Sequence, residues 1–254
     1  MIGILFRSGL SFPEIVINVC VFVCALVFSF SIHEYMHAFA AYKCGDDTAK
    51  KMGRLNMKPS SHIDPTGAVM LLIFGFGWAR PVVFNYSKIT RFKNKKVSVR
   101  LISLAGVATN FVAAVVAFLL FLLTSIISAE AGILTSTGLR GLGVPFHLPA
   151  SPSLLELFVL ILIMFFYELF LRNIVLLAFN LIPIPPLDGY RFIETFFPQK
   201  IRSIAYRVEK FTPIIFIVLV MTGFLSMLVN IIASPFLRVI QLLGDMLLRL
   251  FGRL

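Results

Sequence analysis

Charge is scarce in this sequence. Asp, Glu, Lys and Arg together make up 14% of its 254 residues, against about 25% in a typical soluble domain. Acidic residues are scarcer still, with 12 against 23 basic ones. Cysteine is limited to three, with no CxxC pair. That excludes a disulfide-stapled secreted fold and leaves Cys20, Cys24 and Cys44 as small buried or interfacial thiols. Internal repeats and low-complexity segments are also lacking. Apolar residues, by contrast, reach 59%, and mean hydropathy is +0.94. Disorder and fibrous structure are excluded, and an ordinary soluble globule is disfavoured. The long uncharged runs differ from the short alternating segments of a β-barrel. The expected class is an all-α polytopic membrane protein forming one transmembrane domain over residues 1–254.

The formal net charge is +11. No basic–aromatic module accompanies it, so a nucleic-acid partner is not expected. The basic residues instead lie between apolar runs, where topology and lipid headgroups account for them. The first run, 15–32, continues in apolar character to Tyr42. It is long enough to span a bilayer core of about 30 Å, too long for a signal-peptide core, and is expected to be retained. Gly45-Asp46-Asp47 then reads as a helix stop and turn.

Segment 67–84 is apolar but interrupted by Gly75, Gly77 and Pro81. It predicts a re-entrant or hairpin element, because irregular backbone survives at membrane depth only inside protein or beside a wet cavity. Runs 101–129, 154–182 and 211–237 follow as apolar stretches, and Pro183 ends the second of these. Residues 238–254 read as an amphipathic interfacial helix. Altogether about four to six membrane segments are expected.

Twelve Lys or Arg fall within 43–100 and five within 191–210, but only one within 130–153. The positive-inside rule places the first two regions in the cytoplasm and the third outside. Two helix ends, near 33–42 and near 182, then share the cytoplasmic face of a multi-pass cell-membrane protein.

The first of those ends carries His33-Glu34-Tyr35-Met36-His37. In a helix, positions i and i+4 lie about 40° apart, so both imidazoles can grip one ion. Glu34, rotated by about 100°, is poorly placed as a ligand to that ion but can serve as a proton acceptor for water. The chain has only four His, and chance produces the pattern in roughly one such chain in several hundred. A catalytic zinc site usually takes three protein ligands. Among His62, Asp64, His147 and Asp188, the last stands at the other cytoplasmic helix end. His147 falls on the outer side. Asp188-Gly189 on its own could equally be a turn; the shared membrane face favours a ligand.

These motifs resemble the site-2 protease family of intramembrane zinc metalloproteases. The resemblance rests on HEYMH at 33–37 and NLIPIPPLDG at 180–189, supported by His62-Ile63-Asp64-Pro65-Thr66-Gly67, by Gly77-Trp78-Ala79-Arg80-Pro81-Val82 and by Ala105-Gly106-Val107-Ala108-Thr109-Asn110. It implies a transmembrane helix bundle around one Zn2+, with β-hairpin or re-entrant elements near the site. His33, His37 and Asp188 would be the metal ligands and Glu34 the catalytic base. Asn110 would bind substrate or stabilise the transition state. Val107 stands where the family has proline. No stretch is long enough for the PDZ or CBS domain that members often carry, so a minimal member is expected. The substrate would be a transmembrane segment of another protein in the same bilayer.

Two other classes fit parts of the pattern. A metal-ion transporter would use His and Asp ligands, but would spread them along a path and need no base beside them. A silent scaffold of the same fold would not need the complete set. Among the remaining polar residues, His62 and Asp64 suit either orientation of a ligand histidine or a cytoplasmic turn. Glu168 and Arg172 are spaced to pair on one helix face. Trp78 and Tyr86 suit interfacial anchoring. Asn173 and Asn180 suit interhelical hydrogen bonding or the lining of the site, with Asn180 favoured for the latter.

Overall fold

The computed structural model describes residues 9–74, 79–133, 149, 151–197, 203 and 211–250. His147 and Trp78 lie outside them. The protein is mostly helical, with no strand among the described residues. The helices are α1 (Phe12–Lys43), α2 (Thr48–Lys51), α3 (Pro59–His62), α4 (Pro65–Phe74), α5 (Lys95–Glu130), α6 (Leu154–Leu181), α7 (Asp188–Glu194), α8 (Thr212–Met221) and α9 (Phe224–Leu250). Among the described residues three of these, α1, α5 and α6, are long and apolar enough to cross a membrane. At about 1.5 Å per residue each exceeds the roughly 30 Å hydrocarbon core, which makes this a membrane protein.

Local sequence accounts for the helix ends. The Glu14 carboxylate accepts from the backbone N–H and hydroxyl of Ser11, 2.7 and 2.6 Å away, and closes the start of α1. Gly45, at φ +100°, stops it. A side chain there would also run into Thr90. Ser153 and Glu156 cap α6 reciprocally, and α6 ends at Leu181, just before Pro183.

The three long helices pack on one another. Ala25 of α1, Ala114 and Ala117 of α5 and Ala178 of α6 sit in the central core with Phe170, Ile174 and Val229. Small residues at the crossings let helix backbones approach where lipid leaves little hydrophobic drive between helices. Val112, Val116, Leu123, Ile127, Leu155 and Phe158 face outward, as suits a lipid environment.

Two regions refine the sequence expectation. The uncharged run 211–237 is divided at Thr222 and Gly223 into α8 and the start of α9; the expected amphipathic segment is continuous with that second part, since α9 runs to Leu250. The interrupted segment 67–84 begins as α4. Its far end returns to where α4 began: Ile63 and Ala79 form an isolated antiparallel bridge, and the Arg80 N–H donates to the His62 carbonyl at 2.7 Å. Residues 81–85 then run outside any helix or strand, with Asn85 in extended geometry.

Candidate metal centre

The helical period of α1 puts His33 and His37 on one side, with ring centroids 4.6 Å apart. The chain leaving α6 turns through 183–187 and starts α7 at Asp188, whose carboxylate reaches both rings. His37 Nε2 lies 3.0 Å from His33 Nε2 and 3.0 Å from Asp188 Oδ2, and His33 Nε2 lies 3.2 Å from the same oxygen. All three residues are buried.

Donor chemistry tests whether a cation fits. The His37 Nδ1–H donates to the Ile102 carbonyl at 2.7 Å. In a neutral ring that leaves Nε2 with its lone pair facing the cluster. Asp188 brings one carboxylate oxygen to both Nε2 atoms. Three potential ligand atoms therefore converge on one point, each able to offer a lone pair to a cation. Tetrahedral zinc with bonds of about 2.0–2.1 Å separates its ligand atoms by roughly 3.3 Å, close to the triangle seen here. The residues fit Zn2+.

Two glycines make this approach possible. A Cβ on Gly106 of α5 would overlap His37 Nε2 and the His33 ring. Ile102 and Gly106 lie one turn apart, so this part of α5 faces the histidines. It offers a carbonyl and then a gap. A Cβ on Gly189 would strike the Leu181 carbonyl; without it, α7 can press against the end of α6 and bring Asp188 inward. The Asp-Gly pair is thus more than a turn.

Glu34 is 8% exposed, and its Oε2 accepts from the Val82 N–H at 3.0 Å. Asn110 is fully buried, and neither polar atom of its amide has a partner among the described residues. A buried unpaired amide costs about 1–3 kcal/mol.

The remaining candidates lie elsewhere. His62 is buried, with its Nε2 2.7 Å from the Asn56 carbonyl. Asp64 is hydrogen-bonded by Thr66 and Gly67 in a local turn, bonds that hold its carboxyl below the usual range. Asn173 bridges helices, donating to Ser29 Oγ at 2.9 Å. Asn180 donates to the Leu176 carbonyl within its own helix. Glu168 and Arg172 pair at 2.9 Å.

Sequence reasoning passed over Ile102, Val82 and the steric part played by Gly106. Ile102 and Val82 act through backbone atoms, which no residue type announces. Gly106 did leave a signal, a residue without a side chain inside an apolar helix.

The model of Peptidase family M50 matches residues 21–225. "Putative zinc metalloprotease YwhC" of Bacillus subtilis is 38% identical over 201 residues, covering 79% of this chain and 80% of that protein. "Putative zinc metalloprotease Rip2" of Mycolicibacterium smegmatis is 29% identical over 183 residues, covering 70% of this chain and 58% of that one. No solved structure matches. The chain belongs to peptidase family M50, the site-2 protease family. It is a zinc metalloprotease.

Proposed function

We propose that this protein is an intramembrane zinc endopeptidase that cleaves transmembrane segments of other membrane proteins, with its site open towards the cytoplasmic face. The observation that carries this reading is the convergence of His33, His37 and Asp188 from two helices, beside Glu34.

His33, His37 and Asp188 would hold the ion. Zinc, when bound, lowers the pKa of water towards roughly 7 and polarises a carbonyl. The other roles belong to this chain. Glu34 takes the proton of the attacking water and returns it to the leaving amine. Asn110, with both amide atoms uncommitted, hydrogen-bonds the substrate carbonyl as negative charge develops on it. Ile102 fixes the tautomer of His37, and Gly106 keeps the pocket open.

A helical substrate must unwind before its peptide bonds are reachable, since backbone hydrogen bonds shield them. The non-helical stretch 81–85 offers backbone to an unwound substrate. Val82 turns inward beside Glu34, whereas Val83 is 55% exposed. A cleft of about 310 Å³ borders it, lined by Pro81, Val82, Val83, Phe84, Val99, Arg191 and Glu194. Strand addition along this edge would deliver a peptide bond to the centre.

The test is Glu34→Gln in purified protein, incubated with a panel of single-span substrates. The variant is expected to retain one zinc per chain and lose about 10²–10⁴-fold in cleavage. Cleavage at the wild-type rate would refute the assignment. Zinc flux in proteoliposomes that survived the substitution would indicate transport instead.

A further inference from the structure

Asp46 lies just beyond the end of α1, outside the candidate centre, yet it is a fully buried acid. Its Oδ1 accepts from the Thr48 N–H at 3.0 Å and from the Thr48 hydroxyl, a local turn that any exposed Asp could make. Its other oxygen, Oδ2, accepts from the backbone N–H of Asn85, 39 positions away in the chain. That second bond serves no turn. It joins the end of α1 to the non-helical stretch 81–85.

The same stretch is held at its other end by Glu34, through the Val82 N–H. From Glu34 to Lys43 the helix advances about 14 Å, and the chain from Val82 to Asn85 can reach at most about 10 Å. The stretch therefore lies alongside the last turns of α1, with one carboxylate near each end. Val82 packs between these anchors against Ala38 and Ala49, and Phe84 packs against the cluster of Ala41, Cys44, Ile89 and Ile102. Among the described residues, these are the two hydrogen bonds that tie backbone N–H groups of 81–85 to α1 and the turn that follows it.

We propose that Asp46 is a positioning residue: by anchoring Asn85 it keeps 81–85 in register along α1, and so holds the Val82 amide that orients the Glu34 carboxylate. Losing the anchor lets the stretch slide, and Glu34 loses the Val82 donor. The inference rests on the role assigned to Glu34 above.

The test uses the full-length, zinc-loaded protein in detergent. Asp46→Ala removes the acceptor that Asn85 needs. Asn85→Pro removes the donor itself, whereas Asn85→Ala keeps it and removes the side chain with the local bonds it accepts from Ser87. In the wild type, the Val82 and Asn85 amides are expected to exchange with deuterium more slowly than those of Val83 and Phe84. In Asp46→Ala and Asn85→Pro that protection is lost at Val82 too, although Glu34 is untouched. On a single-span substrate both variants are expected to lose about 10–100-fold in kcat, with KM within about twofold and zinc content unchanged. Asn85→Ala should behave as wild type.

Equal exchange at all four amides in the wild type would overturn the proposal. So would wild-type kcat in both variants, or Val82 protection that survives them. Full cleavage by Glu34→Gln would instead sink the protease reading, while the exchange measurements would still decide whether Asp46 anchors the stretch.

Discussion

Two groups of ionisable residues among the long helices, Glu168 with Arg172 and the cluster of His33, His37 and Asp188, are built differently. Glu168 and Arg172 sit one turn apart on α6, paired at 2.9 Å, with the guanidinium 4.8 Å above the Phe22 ring. The set is electrically closed, with one charge of each sign on one helix. His33, His37 and Asp188 form an open set. Their three donor atoms come from two segments and lie 3.0–3.2 Å apart with no positive side chain among them. Desolvating charge is costly, by several kcal/mol per ion. A pair of opposite charges offsets part of that cost internally. Three converging ligand atoms suit a cation, which distinguishes the second place as a candidate binding site from the first as part of the frame.

The contrast can be broken experimentally. The largest effect is expected from Asp188→Ala, which removes the single anion of the open set. Metal analysis should show bound zinc falling from one per chain to near none, and cleavage of a single-span substrate should fall to background. At the closed pair, Arg172→Met alone leaves Glu168 buried and unpaired, and should cost about 3–5 kcal/mol. The double change Glu168→Leu with Arg172→Met should recover most of that loss. Resistance to unfolding in SDS measures both, and zinc content should stay at one per chain throughout. If either change at the pair released zinc, the two places would not be independent.

Smaller effects sharpen the picture around the histidines. Gly106→Ala puts a methyl into both rings and should cost about 1–3 kcal/mol by overpacking. Competition with a chelator should show zinc held about 10–100-fold more weakly, because His37 can no longer reach Ile102. Asn173→Ala removes an interhelical bond to Ser29 that is far from closing any charge. It should cost about 0.6 kcal/mol in the same SDS assay, with no change in zinc affinity.

Much of this was readable before any coordinates. Four His among 254 residues, two of them four apart with Glu between, point to one ion and one base. Counting Lys and Arg between apolar runs put the Asp188 end of α6 on the same face as the HExxH end of α1. The proline run correctly ended α6, and Gly45 correctly ended α1. Other features were not readable. The run 211–237 is uniformly apolar, and hydropathy does not register a break that depends on Gly223 at φ +72°. Asp64 and Asp46 look alike as short turn-forming acids. Only the position of Asn85 separates the exposed turn from the buried anchor.

What the sequence alone determined is the set of local and compositional facts: a membrane protein, the helix ends, and a pair of imidazoles with a neighbouring carboxylate on one helix. Those follow from side-chain period and transfer free energy, which act within a few residues or along a single run. The tertiary structure decided which backbone atoms complete the site. The Ile102 carbonyl orients His37, the Val82 amide meets Glu34, and the missing side chains of Gly106 and Gly189 allow three segments to come within reach of one another. Every residue carries an N–H or a C=O that looks the same in the sequence, so its role is set by the packing of distant segments and by nothing in its own identity.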